Sequence, residues 1–237
     1  MEFTLLWSAL TGVGALYGSL WWMGRRDTSL CVRDLWEIAI AAGMIGLAAG
    51  RIVAMLRGGV NPLAHPGDIL LVRAGVDTAA ASLAALLTAG WLAREDLFEQ
   101  LDGLAPAALF GLAGWHAGCL FRGACLGTLS DLPWAWALPG SDLTRHPVEL
   151  YAALILAVAA VALFRLRLRY PSPGLITGLA MASAGAARLA TEPLRPSLST
   201  GPMWWYAAVI GAGICLAGWA LWRNGRIGSA QDTTRLQ

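Results

Sequence analysis

Long apolar stretches separated by short polar segments make up most of the chain. Seven stretches approach the roughly twenty residues that an α-helix needs to cross the hydrocarbon core of a bilayer. The first ends in Trp21-Trp22 and lacks a basic start, which is not typical of a cleavable signal peptide. The pattern predicts an all-α integral membrane protein with one domain, residues 1–222, and a polar cytoplasmic tail, residues 223–237. The seven predicted transmembrane helices cover residues 3–23, 36–56, 69–92, 103–121, 148–164, 174–191 and 202–222.

The distribution of arginine predicts the orientation of this seven-helix bundle. All 17 basic residues are arginine, and the predicted loops place most of them on one side. Because basic residues accumulate on the cytoplasmic side of membrane proteins, we expect the N-terminus outside and the C-terminus in the cytoplasm. The side with ten arginines carries Arg25, Arg26, Arg33, Arg94, Arg165, Arg167, Arg169, Arg223, Arg226 and Arg235, and the side with five carries Arg57, Arg122, Arg145, Arg188 and Arg195.

Composition supports a lipid environment and excludes several function classes. Of the 237 residues, 57% are apolar and 14% are charged, whereas soluble domains carry about a quarter charged residues. A net charge of +2 is too balanced for a nucleic-acid-binding protein. Because the chain has no lysine, a Schiff-base mechanism and a P-loop are also excluded.

Charged residues within or at the ends of the predicted spans are the first candidates for function. Charges at these positions are costly and are functional candidates by default. Two pairs, however, have a spacing of four residues, which brings side chains together on one helix turn, so each pair is equally consistent with a purely structural role. The candidates are Arg51, Arg73, Asp77, Arg188, Glu192 and Arg195, and the two pairs are Arg73–Asp77 and Arg188–Glu192.

The same residues also fit a site for an anionic headgroup. Four arginines are predicted at the outer face with only two acids to neutralise them, and guanidinium binds phosphate through a bidentate fork. Arg145 and His146, in a long outside loop at residues 122–147, are expected to join this face. Within that loop, Leu132–Leu138 is predicted to be an interfacial or re-entrant segment. Tryptophans at the span ends are interpreted as interfacial anchors.

A histidine and two cysteines lie close together after the fourth predicted span. His116 and Cys119 are three residues apart, and Cys125 follows six residues later. Three ligands are one short of a closed zinc site, so we expect no metal. A Cys119–Cys125 disulfide and two thiols packed between helices both remain open, and the packed thiols are favoured. The remaining candidates are interpreted as a cytoplasmic thiol, a core residue and a loop residue: Cys31, Cys215 and His65.

Three sequence blocks make the pattern more specific. They are Gly118–Gly127, with the sequence GCLFRGACLG, then Arg145–Tyr151, with the sequence RHPVELY, and Arg188 through Glu192 to Arg195. These blocks resemble the signature segments of prolipoprotein diacylglyceryl transferases. Further landmarks of the family fall on Tyr17-Gly18, Gly50-Arg51 and Pro173-Gly174, so the resemblance covers residues 15 to 222.

The resemblance implies a multi-pass enzyme of the bacterial plasma (inner) membrane. Such an enzyme moves a diacylglyceryl group from phosphatidylglycerol to the lipobox cysteine thiol of a preprolipoprotein, and glycerol phosphate leaves. No cofactor is implied. The residues that the resemblance and the charge pattern assign to catalysis are His146, His116, Arg188 and Glu192, and those assigned to phospholipid binding are Tyr17, Arg51, Arg73, Arg122, Arg145 and Arg195.

The chain also departs from the family pattern. The His-Gly-Gly block of the family falls on Ala79–Ala81, and the arginine of its Gly-Arg-Ile-Gly motif falls on His116. A base must therefore come from elsewhere, and we consider His146 first and His116 second, because imidazole titrates near neutral pH. A purely structural role for His146, tying the long loop to the fifth span through a ring hydrogen bond, is the competing interpretation. Arg122 is the candidate that replaces the lost arginine.

Two hypotheses follow from this mixture of retained and lost residues. In the first, the chain is a divergent diacylglyceryl transferase. In the alternative, it is a catalytically degenerate member that binds lipid as a membrane subunit of a larger complex, because fold does not carry function by itself. Conversion of phosphatidylglycerol and a lipobox peptide to glycerol phosphate discriminates between them.

Overall fold

A computed structural model describes residues 4–64, 67, 75–122, 126–137, 140–195 and 202–235, without the side chains of residues 4–6, 121–122 and 227–235. Within these ranges the chain is almost entirely helical. The helices are α1 (Thr4–Gly24), α2 (Val32–Arg57), α3 (Thr78–Leu92), α4 (Leu97–Ala117), α5 (Cys119–Arg122), α6 (Val148–Arg169), α7 (Leu175–Thr191) and α8 (Met203–Arg235), with a 3-10 turn, η1 (Glu192–Leu194), after α7. Strands β1 (Trp136–Ala137) and β2 (Thr144–Arg145) pair antiparallel, with Trp136 opposite Arg145.

Several helices have the length and apolar composition of membrane spans. Among the described residues, α2, α6 and Met203–Arg226 of α8 are long and apolar enough to cross a bilayer, and α3 is apolar but shorter. Large apolar side chains on these helices are exposed, including Met44, Leu154 and Trp222. Exposed apolar surface of this kind is compatible with lipid as the surrounding solvent. The chain is therefore an all-α membrane protein.

Three predicted boundaries differ from the helices that form. Within the described part of the stretch predicted at residues 69–92, helix α3 begins at Thr78, because Asp77 caps it and its carboxylate accepts a hydrogen bond from the Ala80 N–H at 2.9 Å. The fourth helix begins at Leu97 instead of residue 103. Most of the polar tail, predicted at residues 223–237 to lie outside the last span, continues α8 as far as Arg235, since extending an existing helix costs little.

Small residues bring neighbouring helices into close contact. A Cβ on Gly213 of α8 would lie 2.5 Å from the carbonyl oxygen of Gly178 on α7, and one on Gly46 of α2 would lie 2.7 Å from that of Ala81 on α3. At Gly12 of α1, a Cβ would lie 3.2 Å from the carbonyl oxygen of Gly111 on α4. Membrane helices associate through such small-residue contacts because lipid offers no hydrophobic driving force between helices. The pairs α1–α4, α2–α3 and α7–α8 are therefore tightly packed, and α6 and α7 pack on α4.

A buried carboxylate fixes the beginning of α7 to α4. Asp102 on α4 accepts hydrogen bonds from the backbone N–H groups of Gly174 and Thr177, both at 2.8 Å, and from the Thr177 hydroxyl at 2.5 Å. Gly174 adopts a φ of +92°, which a residue with a side chain rarely adopts. Asp102 thus caps α7 from a neighbouring helix. No local pattern in the sequence indicates this role of Asp102.

The loop between α1 and α2 is fixed to α6 by an ion pair. Asp27 Oδ2 lies 3.3 Å from Arg167 Nε. Partial burial would raise the pKa of Asp27, but hydrogen bonds from Ser29 and the Arg167 cation lower it below its ordinary value. The carboxylate is therefore charged at neutral pH and holds the end of α6 against the first loop.

The long loop is hydrogen-bonded to the ends of two helices. Thr128 N–H donates to the Leu194 carbonyl of η1 at 2.8 Å, and Gly127 N–H donates to the His146 carbonyl at 2.7 Å. Trp134 Nε1 donates to the hydroxyl of Tyr151 on α6 at 2.8 Å. The described part of the segment predicted to be interfacial, residues 132–137, forms a turn and β1, and Trp134 and Trp136 are exposed.

Candidate functional site

Five charged or ionisable side chains, which we call the charge network, meet where α4, α6 and α7 approach one another. They are His116, Glu149, Arg188, Glu192 and Arg195. Glu149 Oε2 lies 2.6 Å from His116 Nδ1, and Glu149 Oε1 pairs with Arg195. Glu192 Oε2 lies 3.1 Å from Arg188 Nη2 and 3.7 Å from Arg195 Nε. A continuous chain of ion pairs therefore runs from the histidine to both arginines.

Helix ends bring these residues together. His116 lies in the last turn of α4 and Glu149 in the first turn of α6. Arg188, Glu192 and Arg195 share one face because they are spaced by four and three residues. The Arg188–Glu192 pair predicted from its spacing is thus present.

Burial makes the pairing in the charge network necessary. Glu192 has no exposed surface, and the side chains of Glu149, Arg188 and Arg195 retain 14–17% of theirs. A buried charge is tolerated only when it is paired and hydrogen-bonded. Burial and the neighbouring Arg188 cation lower the pKa of the Arg195 guanidinium, against the opposing charges of Glu149 and Glu192.

Tyr206 of α8 extends the charge network. Its hydroxyl accepts a hydrogen bond from Arg188 Nη2 at 3.1 Å, and the Arg188 guanidinium carbon lies 5.3 Å from the centre of its ring. Tyr206 is buried. Arg188 is therefore held by a carboxylate, a hydroxyl and an aromatic face, which fixes its orientation.

Arg51 is buried on α2, and its Nη1 donates to the carbonyl oxygen of Gly75 at 2.9 Å. Asp77, for which the spacing suggested a pair with Arg73, precedes α3 and forms an ion pair with Arg57 at the end of α2. Arg73 lies outside the described residues.

Arg145 and His146 hold the long loop in place. Arg145 Nη1 donates to the Gly127 carbonyl at 3.1 Å. His146 Nδ1 lies 3.4 Å from the Tyr151 hydroxyl, and the His146 N–H donates to the Thr128 carbonyl at 3.0 Å. These bonds correspond to the structural role that sequence analysis considered as the alternative for His146.

Tyr17 lies in a different part of the molecule from Arg51. It is exposed, and its ring packs edge-on against Trp36 with 5.1 Å between the centroids. Trp36 lies near the beginning of α2, whereas Arg51 follows fifteen residues later, roughly 22 Å along the helix axis. The structure does not bring Tyr17 together with Arg51.

Cysteine is the clearest correction to the sequence analysis. Cys119 is buried and disulfide-bonded, so the favoured interpretation as packed thiols is wrong. Cys31 and Cys215 are free and exposed, so Cys215 is not the core residue that was expected. Within the described part of the chain, no group of three His, Cys, Asp or Glu side chains is placed to hold a metal. His65, Cys125 and the side chain of Arg122 lie outside the described residues.

The sequence of the chain is similar to those of known proteins along most of its length. A sequence model of the prolipoprotein diacylglyceryl transferase family matches residues 1–222. The chain is 32% identical over 186 residues to a phosphatidylglycerol–prolipoprotein diacylglyceryl transferase of Cupriavidus necator, covering 71% of this chain and 68% of that protein. It is 30% identical over 213 residues to one of Pseudomonas paraeruginosa, covering 84% and 79%. The chain belongs to the prolipoprotein diacylglyceryl transferase family.

In this member of the diacylglyceryl transferase family, one residue of the charge network, the half-buried Glu149, was not predicted from the sequence. Glu149 joins His116 to Arg195. It stands inside the Arg145–Tyr151 block that carried the resemblance, and an acid at the beginning of an apolar helix was the available signal. Tyr206 offered no such signal, because an aromatic residue in an apolar span is ordinary.

The charge network contains groups that can perform two chemical tasks in this family member, namely proton acceptance and phosphate stabilisation. An imidazole beside a carboxylate can accept a proton. Two arginines at one end of the bundle can stabilise an anionic phosphate through charge-assisted hydrogen bonds. Because Glu149 and Glu192 already hold these arginines, an incoming phosphate has to compete with carboxylates for the same N–H donors.

Proposed function

We propose that this chain transfers a diacylglyceryl group from phosphatidylglycerol to the lipobox cysteine thiol of a prolipoprotein. The observation that carries the proposal is the charge network, in which two arginines, two carboxylates and a histidine form linked ion pairs in a chain of this family, with His116 and Glu192 buried. The names of the relatives supply the donor and the acceptor for those proteins. The alternative, a lipid-binding subunit without catalysis, is not favoured.

The reaction needs a site for the departing phosphate and a base for the thiol. Arg188 and Arg195 are assigned to the phosphate, and Glu192 holds both arginines in place. His116 and His146 are the candidate bases. The residues further assigned to phospholipid binding are Arg51, Arg73, Arg122, Arg145 and Tyr17.

For the fold, the proposal is seven spans in one domain, residues 1–222, in the bacterial inner membrane, with the N-terminus outside and the C-terminus inside. Five arginines that stack on tryptophans support this orientation, because all five fall on the side predicted to be cytoplasmic, where aromatic and basic residues meet the headgroups. The guanidinium-to-ring distances are 3.7 Å for Arg25 on Trp21, 5.1 Å for Arg26 on Trp22, 5.2 Å for Arg94 on Trp91, 4.9 Å for Arg223 on Trp219 and 4.2 Å for Arg226 on Trp222.

An assay of the purified protein tests the function. The full chain, in detergent with phosphatidylglycerol and a synthetic lipobox peptide, is expected to release glycerol phosphate and to add a diacylglyceryl mass to the peptide cysteine. A peptide with serine in place of that cysteine is the control and should gain no mass. A folded protein that produces neither product would contradict the proposal. If such a protein also co-purified with an unrelated membrane complex, the subunit hypothesis would replace it.

A further inference from the structure

We propose that His116 is the catalytic base of this chain and that Glu149 is the positioning residue that couples it to the phosphate-binding arginines. This inference rests on the proposed function and adds to it a specific base and a partner outside the predicted site. It starts from one carboxylate whose two oxygens serve two different groups. Glu149 Oε2 faces the imidazole of His116, and Oε1 faces the guanidinium of Arg195.

The bond to Glu149 determines which ring nitrogen of His116 is available. A carboxylate can only accept, so Nδ1 of His116 carries the proton in the 2.6 Å contact. The second nitrogen, Nε2, is then the acceptor in the neutral ring, and the described residues show no hydrogen bond to it. A carboxylate that fixes the tautomer of a histidine and stabilises the imidazolium is the arrangement that a general base requires.

His146 lacks these features in the structure. Its Nδ1 lies 3.4 Å from the Tyr151 hydroxyl, which cannot balance the charge of an imidazolium as a carboxylate does. Its backbone N–H and C=O both hold the long loop in place. His146 is therefore the weaker candidate for the base, although sequence analysis placed it first.

The charges around His116 come from three elements. Burial disfavours the imidazolium, Glu149 of α6 favours it, and Arg188 of α7 and Arg195 after η1 oppose it. Helix α1, which packs on α4, carries no charged residue between Thr4 and Gly24. A lipid phosphate that binds Arg195 competes with Glu149 for the guanidinium and offsets the positive charge of that group. The Glu149 carboxylate is then available to stabilise the imidazolium of His116. Lipid binding thereby prepares the base.

The chemical step balances with these groups alone. His116 Nε2 accepts the thiol proton, and the sulfur forms a bond to the glyceryl carbon that carries the phosphate. The C–O bond to the phosphate breaks, and its electron pair leaves with glycerol phosphate, held by Arg188 and Arg195. The imidazolium then gives its proton to the departing phosphate or to water. No oxidant, reductant or metal takes part.

Kinetics of single variants of the full chain test the base and its partner. His116→Ala is expected to lower kcat about a hundredfold or more, and the loss should exceed that of His146→Ala at least about tenfold. Glu149→Gln should lower kcat and move the acidic limb of the pH–rate profile to lower pH, because the imidazolium loses its counter-charge, and Glu149→Asp should restore part of the rate. Glu37→Gln, which removes an exposed carboxylate paired with Arg33, is the matched control and should behave as the unmodified chain.

A spectroscopic measurement tests the pair independently of turnover. In ¹⁵N-histidine-labelled protein, one of the three histidines should show a protonated Nδ1 and an unprotonated Nε2, and Glu149→Gln should abolish that signature. An unmodified chain that releases no glycerol phosphate would overturn the function and the base together. An active chain in which Glu149→Gln keeps the original pH profile, or in which His146→Ala is the more damaging change, would overturn this inference alone.

Discussion

The side chain of Glu192 has no exposed surface, yet it lies 3.1 Å from Arg188 and 3.7 Å from Arg195. At the residue scale this contact explains why the acid is tolerated in a buried site, since two cations share one carboxylate. The same contact limits how strongly the arginines can bind a ligand, because part of their charge is already used. A phosphate that enters the site must therefore interact with the arginines more favourably than the Glu192 carboxylate does.

Arg188→Ala should weaken retention of an anionic phospholipid. Removing one charge-assisted contact costs on the order of 1.5–3 kcal/mol, which corresponds to roughly ten- to 150-fold weaker binding. Native mass spectrometry of the protein with equimolar phosphatidylglycerol and phosphatidylethanolamine would measure the preference. Arg33→Ala, at an exposed pair, is the control. Equal retention of both lipids by the unmodified chain and by Arg188→Ala would refute the headgroup role of Arg188.

Asp102→Ala should destabilise the fold without touching the charge network. The substitution removes the acceptor for two backbone N–H groups and a hydroxyl at the beginning of α7. Losing a hydrogen-bonded buried carboxylate costs about 1.5–3 kcal/mol. Thermal unfolding in detergent would show a lower midpoint, whereas Asp131→Ala, at an exposed loop position, should not. An unchanged midpoint for Asp102→Ala would mean that the cap is dispensable.

At the scale of elements, the spacing between helices decides which side chains meet. Glycine allows α7 and α8 to approach until Gly213 and Gly178 are nearly in backbone contact. This approach places Tyr206 of α8 against Arg188 of α7, where it supports the guanidinium. The charge network therefore depends on helix packing as well as on its own ion pairs.

Gly213→Ala should separate α7 from α8. The added methyl carbon would lie 2.5 Å from the Gly178 carbonyl oxygen, and overpacking of this kind typically costs about 1–3 kcal/mol. Gly218→Ala on the same helix is the matched control, because a Cβ there meets nothing within 4 Å. A lower unfolding midpoint is expected for the first variant only. Similar midpoints would show that the interface adjusts to the extra methyl.

At the scale of the whole molecule, the charge network and the arginine–tryptophan stacks lie toward opposite ends of the helices. His116 is in the last turn of α4, whereas Arg94 stacks on Trp91 just before α4 begins. A helix of 21 residues spans roughly 30 Å, which matches the hydrocarbon thickness of a bilayer. One end of the molecule therefore carries the charge network, and the other carries the arginine–tryptophan contacts, which are suited to the headgroup region of a bilayer.

A reporter fused after Arg226 should be cytoplasmic. Ten arginines against five predict that orientation. Alkaline phosphatase at this point should be inactive and green fluorescent protein should be fluorescent, whereas the same reporters inserted between Ser141 and Asp142 of the long loop should give the reverse. An active phosphatase after Arg226 would invert the proposed topology.

The sequence alone determined the class of the protein and its family. The length of the apolar stretches and the scarcity of charged residues indicate a lipid environment. A helix of roughly twenty apolar residues forms its backbone hydrogen bonds internally, but its side chains still need an apolar solvent. Local spacing also predicted the Arg188–Glu192 pair, since residues four apart face each other on one helix. Each of these properties is encoded within about one helix of sequence.

Only the tertiary structure decided which distant residues meet. Glu149 lies 33 positions from His116, and Asp102 lies 72 positions from Gly174, so neither contact has a local signal. The same holds for the ion pair between Asp77 and Arg57, which lie 20 positions apart. These partners depend on how closely the helices pack and where each one ends. Long-range packing is therefore the physical reason that the histidine paired with a carboxylate is His116, although the sequence favoured His146.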